Sequence, residues 1–374
     1  MTIKKQYFKL SKEEFEKYID ELRNDNHAYH FFGNEFFFVP TKQTNELILS
    51  LHKKQLEIDS FINNLDEYKK QTIINSFIID EIKTTNNIEN IYSTRHDIFS
   101  IMKDVKSVND KHIKSLLQAY ELLSFDIKDE YSIREIYDLM MKNSYNNKAD
   151  IPDGKLFRKE DVEITGGIKI YHKGFYPEDK IISSIKEFLS FYLNKEIDIY
   201  ERLIISHFLF ETIHPFYDGN GRLGRLLFSI ELYKETNSIL SYTIATSIDK
   251  NKKDYYKSFE KARDRYQYGY LNDYFIDISN ILVQGFNEIL NDLSDKYSLY
   301  KNNQQTFNNK SMNMIYDLLL WNTYFTYYGI SNIDILAKTS LSKRTVINVM
   351  NALRENNQLI DFKIGKETYH KLVI

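Results

Sequence analysis

Proline and glycine are scarce in this chain, with 4 Pro and 12 Gly in 374 residues. In a helix interior proline costs about 3 kcal/mol and glycine about 1 kcal/mol relative to alanine, so long helices are permitted nearly everywhere and strands need local evidence. Over residues 43–75, Leu47, Leu51, Leu56, Ile58, Ile62 and Leu65 recur at mostly helical spacing. Residues 76–81 continue the pattern, and Asn86, Asn87 and Asn90 mark a break or helix end. Helical periodicity resumes at Ile181, runs through residues 199–213, and returns in LLFSIELY after a polar loop. A mainly all-α fold is expected.

A chain this long suits two or three modules rather than one small core. The polar run KNNQQTFNNK reads as a linker to a separate C-terminal module over 312–374. That module reads as a helix, then SNIDILAKTSLSKRTVINVMNALRENNQLIDF, then two strand-like pieces around Gly365, the order of a winged helix-turn-helix domain. Lys343 and Arg344 stand near the start of its recognition helix. Alternating Val162, Ile164, Ile168 and Ile170 flank Gly166-Gly167 and predict a short β-hairpin. The first 35 residues carry no readable signal.

The formal charge is −3, from 50 Lys+Arg against 53 Asp+Glu, which gives no global positive field for nucleic acid. DNA binding by the C-terminal module is conceivable, and a structural or protein-partner role is favoured. With 0 Cys there are no disulfides, thiolate zinc sites or cysteine nucleophiles. No secretory leader and no run of about 18 apolar residues is present, so no membrane span is expected and the cytoplasm is the default location.

Residues 214–225, HPFYDGNGRLGR, gather a base, a carboxylate, three glycines, an amide and two arginines. Gly219 and Gly221 permit backbone shapes that side chains forbid, and they open onto a helix whose first amides lack partners. Such a helix start, with its positive dipole end, holds phosphate. Arg222 and Arg225 add charge on one face, suited to bidentate contact, with Gly224 between them keeping the surface close. Asp218 is a lone carboxylate beside the polyphosphate, the usual place of Mg²⁺. His214 is the loop's one group of near-neutral pKa and the natural general base. Phe216 is expected to face inward and His207 to be a packed histidine.

This loop resembles the motif H-P-F-x-[DE]-G-N-G-R-x-x-R of the Fic family at every defined position. The resemblance implies a helical bundle with a β-hairpin flap (162–177) in a core spanning 111–300, behind an N-terminal helical region over 1–110. It implies ATP as substrate with Mg²⁺, and transfer of AMP to a Ser, Thr or Tyr hydroxyl of a target protein docked at the flap. Relatives use the same loop to transfer UMP or phosphocholine, so ATP is the majority expectation. His214 is then the base and Asp218 the magnesium ligand. Gly219, Asn220 and Gly221 form the anion hole, and Arg222 and Arg225 hold the β- and γ-phosphates. The single Pro177 departs from relatives that carry two prolines there.

DKNKKDYYKSFEKAR resembles the family segment that closes over the nucleoside, which makes Asn251 and Tyr256 adenosine contacts. TNNIEN, residues 85–90, fits the inhibitory pattern [ST]-x-x-x-E-[GN]. In that reading Glu89 pairs with Arg225 and takes it from the γ-phosphate, and the same glutamate could orient water to remove AMP. A rival function is a DNA-binding regulator with the loop as a nucleotide sensor; the intact His214 favours the enzyme. Self-modification and homodimer formation stay open.

Overall fold

A computed structural model describes residues 3–104, 110–121, 123–142, 151–166 and 169–374. The N-terminal part holds α1 (Ile3–Tyr7), α2 (Lys12–Arg23), β1 (Tyr29–Phe31), β2 (Phe36–Phe38), α3 (Lys42–Asn63), α4 (Glu67–Ile88), α5 (Arg95–Met102), α6 (Lys111–Glu121) and α7 (Glu130–Met141). Next come β3 (Glu163–Gly166), β4 (Lys169–Lys173), α8 (Glu178–Tyr192), α9 (Ile199–Ile213), α10 (Asn220–Thr236), α11 (Ile244–Asp249), α12 (Lys252–Ala262) and α13 (Asn272–Asn302). The chain ends with α14 (Lys310–Phe325), β5 (Ile330–Ser331), α15 (Asn332–Thr339), α16 (Lys343–Glu355), β6 (Leu359–Ile364) and β7 (Glu367–Leu372).

The fold is mostly helical, as the scarcity of helix breakers requires. α9 is rich in apolar residues on every side, and 14 of its 15 residues are buried. Such a helix belongs in the middle of a core, and α9 lies there, packed against α3, α8, α10 and α13. This placement presents the α9–α10 connection as one end of the bundle's central pair. The strands are confined to small antiparallel sheets: β1–β2, β3–β4 and the three-stranded β5–β7–β6. In the β3–β4 hairpin Glu163 pairs with Lys173 and Gly166 with Lys169. Gly167 and Ile168 of the expected turn lie outside the described residues.

The helical spacing over 43–75 is carried by two helices, α3 and α4, because Asp66 caps α4 by accepting the Lys69 N–H and starts a new axis. Two expectations differ from the structure. The expected linker contracts to residues 303–309, between α13 and α14. Nor does α14 belong to a separate body: Trp321 is fully buried and donates its indole N–H to Thr72 Oγ1 at 3.0 Å, and Ser76 donates to the Phe325 carbonyl at 2.7 Å. The C-terminal elements therefore clamp α4 and share the main core.

The first 35 residues do carry a legible signal. Ser11 and Glu14 form a reciprocal capping box at the start of α2, the S-x-x-E signature of a helix N-terminus.

Candidate active site

The α9–α10 connection is built around a strained residue. His214 ends α9 in the left-handed region, at φ 50° and ψ 63°, a conformation that persists in a non-glycine residue where surroundings enforce it. Its N–H donates to Phe210 O at 3.0 Å, and its carbonyl accepts from Arg158 Nε at 2.9 Å. Phe175 N–H bonds Ile213 O, and Arg158 N–H bonds Pro215 O. The segments flanking the hairpin thus fasten the loop from both sides. Phe216 is buried and stacks flat on Tyr137 with ring centres 3.5 Å apart. The Asn220 side-chain amide bonds both the N–H and the carbonyl of Phe216, at 3.0 and 2.8 Å. Gly219, at φ 80°, then turns the chain into α10 without a side-chain cap.

Arg158 is fully buried and was not singled out by any motif. Besides His214 O, it donates to Phe175 O at 2.8 Å and Glu160 O at 2.6 Å. Arg158→Met would keep the volume and leave three carbonyls without their donor. A buried unsatisfied polar group costs about 1–3 kcal/mol, so a loss of about 3 kcal/mol or more is expected. Denaturant unfolding checks this, with a midpoint equal to wild type as the contrary result.

A cavity of about 470 Å³ opens between the end of α4, the α9–α10 connection and α12, within the usual range for small-molecule sites. Its walls include Glu89, His214, Gly221, Arg225 and Tyr256, together with Glu211 and Arg263. Glu89 closes α4 and directs its carboxylate to Arg225 Nη2 at 2.7 Å. Arg225 is buried and is also held by Thr85, through Nε to Oγ1 at 2.9 Å and Nη2 to the carbonyl at 3.2 Å. A Cβ on Gly221 would collide with Glu89 Oε1. The carboxylate therefore lies directly over the first turn of α10, where the helix dipole favours an anion. The Glu89 turn is tethered from α12: Lys252 Nζ donates to Asn87 O at 2.9 Å, and Tyr256 OH to Ile88 O at 3.0 Å.

Burial lowers the His214 pKa to about 3, helped by the nearby His172, Arg158 and Arg263. The ring is thus neutral at ordinary pH, the form a base needs. Its Nδ1 is buried on the Glu211 side, 3.9 Å from that carboxylate and facing the Glu211 backbone. Burial and then the Glu89 charge raise Glu211 to about 7. Burial pulls against the Arg225 charge, but Glu89 outweighs it and the Arg225 pKa is raised.

His207 donates or accepts against Tyr255 OH at 2.7 Å and, like His214, is lowered to about 3 by burial. This is the packed histidine that was expected. Both rings stay neutral when folded, whereas an unfolded histidine takes a proton near pH 6.5. Between about pH 6.5 and 3 the unfolded state binds more protons, so stability falls as the pH falls. The slope is about 1.4 kcal/mol per pH unit for each such ring. Unfolding midpoints measured from pH 7 to 5 check this, and His207→Gln should flatten the slope by one ring's share.

The structure brings Glu89, His214, Gly221, Arg225 and Tyr256 to one cavity, while the other expected residues do not line it. Arg222 is buried and bonds Asp218 Oδ2 at 3.1 Å, four residues back along the loop. Gly224 faces α9 instead: a Cβ there would meet Glu211 Oε1 at 2.6 Å and the His207 ring at 3.1 Å. It lets α9 and α10 approach, which differs from the expected nucleotide contact. Asn251 precedes α12 and makes no side-chain cap. Lys343 and Arg344 lie on α16, exposed and away from the cavity walls.

Asp218 is half-exposed, with Oδ1 accepting from Gly219 N–H at 2.6 Å. Among the described residues no group of three or more His, Cys, Asp or Glu gathers to hold a metal. A lone carboxylate fits Mg²⁺, which keeps waters and takes its other ligands from substrate phosphates. No described helix is long and apolar enough to cross a membrane.

Residues 127–232 match the Fic/DOC family model, a segment that contains the whole α9–α10 connection. The chain is similar to a probable protein adenylyltransferase of Aquifex aeolicus (strain VF5), 28% identical over 230 residues. That match covers 62% of this chain and 57% of the relative's length. The fold is similar to the crystal structure of a Fic family protein from Desulfovibrio desulfuricans G20, with a TM-score of 0.56 and 18% identity. That similarity covers 90% of this chain and 97% of the other.

Proposed function

We propose that this chain, which carries a Fic domain over residues 127–232, is a protein adenylyltransferase held inactive by its own Glu89. One observation carries the reading: the Glu89 carboxylate is paired with Arg225 over Gly221, beside the neutral His214. A carboxylate held on a helix start by an arginine occupies the place of a phosphate. Similarity to a probable protein adenylyltransferase supports reading ATP as the polyphosphate and a protein as the acceptor, through a hydroxyl.

The chemistry follows from the loop. With Nδ1 buried, Nε2 of His214 is the ring nitrogen left to take the hydroxyl proton. The hydroxyl oxygen attacks the α-phosphorus, the bond to the bridging oxygen breaks, and pyrophosphate leaves. The amides of α10 and the Arg225 guanidinium stabilise the charge on the departing group, so catalysis rests on positioning and fixed dipoles. Mg²⁺ bound at Asp218 would neutralise phosphate charge. Arg158 takes no part in the reaction; it holds the backbone of His214 in place.

For the C-terminal elements we favour a partner-contact or structural role. The clamp that α14 places on α4 supports this, and α15, α16 and the β6–β7 hairpin follow in winged-helix order. Intact mass after incubating the Glu89→Gly protein with ATP and Mg²⁺, alone and with a cell lysate, tests the activity. The expected product is protein heavier by one AMP; no adduct on the chain or on any lysate protein would overturn the reading.

A further inference from the structure

We propose that Arg263, which lies outside the glycine loop, is a third phosphate-binding arginine of this cavity, placed to hold the α-phosphate of ATP beside His214. The inference rests on the adenylyltransferase reading and adds a residue to it. Arg263 follows the last residue of α12 and lines the same cavity as His214 and Arg225. It reaches the end of α9 through Nη2, which donates to Thr212 Oγ1 at 3.2 Å, two residues before His214. Its guanidinium is pinned between the Phe208 and Phe259 rings, 5.4 and 5.3 Å from their centres.

The cation is positioned but not neutralised. Among the described residues Nε is buried with no hydrogen-bond partner and Arg263 makes no ion pair, whereas Arg225 meets Glu89 at 2.7 Å. Of the two arginines on this cavity wall, Arg225 is thus satisfied by the chain itself and Arg263 is not. A partly buried guanidinium without an ionic partner is costly, and an anion entering the cavity would relieve that cost. Burial lowers its pKa to about 10 against the attraction of Glu211, and the fork remains protonated at neutral pH. Glu211 is its acidic neighbour but, among the described residues, forms no ion pair with it; burial and then the Glu89 charge raise Glu211 to about 7, against the pull of Arg225 and Arg263. Arg263 also contributes to the depression of the His214 pKa. An anion held by Arg263 would therefore sit next to the base, as the reacting phosphate must.

The test is ATP affinity, which does not depend on whether transfer occurs. In the Glu89→Gly background, ATP dissociation constants would be measured by calorimetry for Arg263→Gln and Arg263→Lys, beside the unaltered Arg263. Loss of a charge-assisted contact corresponds to about tenfold weaker binding. The expected result is that loss for Gln and a clearly smaller one for Lys, which restores the charge. Unchanged affinity in Arg263→Gln, or equal weakening by both substitutions, would overturn the assignment and point to a packing role against Phe208 and Phe259. The adenylyltransferase reading itself fails on a different result, absence of any AMP adduct in the Glu89→Gly protein with Arg263 intact.

Discussion

His214→Ala, made in the Glu89→Gly background, is expected to lower AMP transfer by about 10²- to 10⁴-fold, the usual contribution of a positioned general base, with ATP affinity within about twofold. The separation of the two effects is the informative part. His214 offers a neutral imidazole, because burial and three cationic or polar neighbours hold its pKa near 3. A neutral ring contributes little charge to polyphosphate binding and is available to take a proton. Initial rates together with ATP dissociation constants measure both quantities. If affinity fell in step with rate, the ring would be a structural part of the loop rather than its base. The left-handed backbone at this position does not confuse the result, since Arg158, Phe210 and Phe175 hold the loop through main-chain groups of residues 213–215.

Glu89→Gly is expected to tighten ATP binding by about tenfold or more and to raise AMP transfer with it. Two physical terms add. The substitution frees Arg225 Nη2 from a 2.7 Å charge-assisted bond, of the kind worth about 1.5–3 kcal/mol, and it removes a negative charge from the first turn of α10. Thr85 still holds Arg225 through Nε and Nη2, so the guanidinium should stay aimed at the cavity. Glu89→Gln would keep the shape and lose the charge, and an intermediate gain is expected there. Calorimetric ATP titration of wild type and both variants checks the order. Equal affinities in all three would mean that Glu89 does not compete with the nucleotide.

Much of this site could be read from short stretches of sequence, because its chemistry is local. His214, Gly221 and Arg225 fall within one loop and one helical turn, and the breaker Asn90 after Glu89 takes a positive φ as the end of α4. The residues that sequence reasoning missed act across long separations. Arg158 is 56 residues from the carbonyl it holds, and Arg263 is 51 from Thr212. No periodicity links such pairs. The surroundings of Gly224 are hidden for a related reason: spacing places it between two arginines, but its neighbour α9 decides which way it faces. At the scale of the fold, apolar spacing marked residues 199–213 as helix but does not locate the Asp66 cap that separates α3 from α4. It also failed to show that Trp321 would join α14 to α4, since a core position looks the same whichever element fills the other side.

The central claim is that an alcohol attacks the α-phosphate of ATP bound over α10. Parallel incubations of the Glu89→Gly protein with ATP labelled at the α- or the γ-phosphate test it most directly. Label retained on protein from the α-phosphate alone is the predicted result. Label from the γ-phosphate, or from neither, would contradict it.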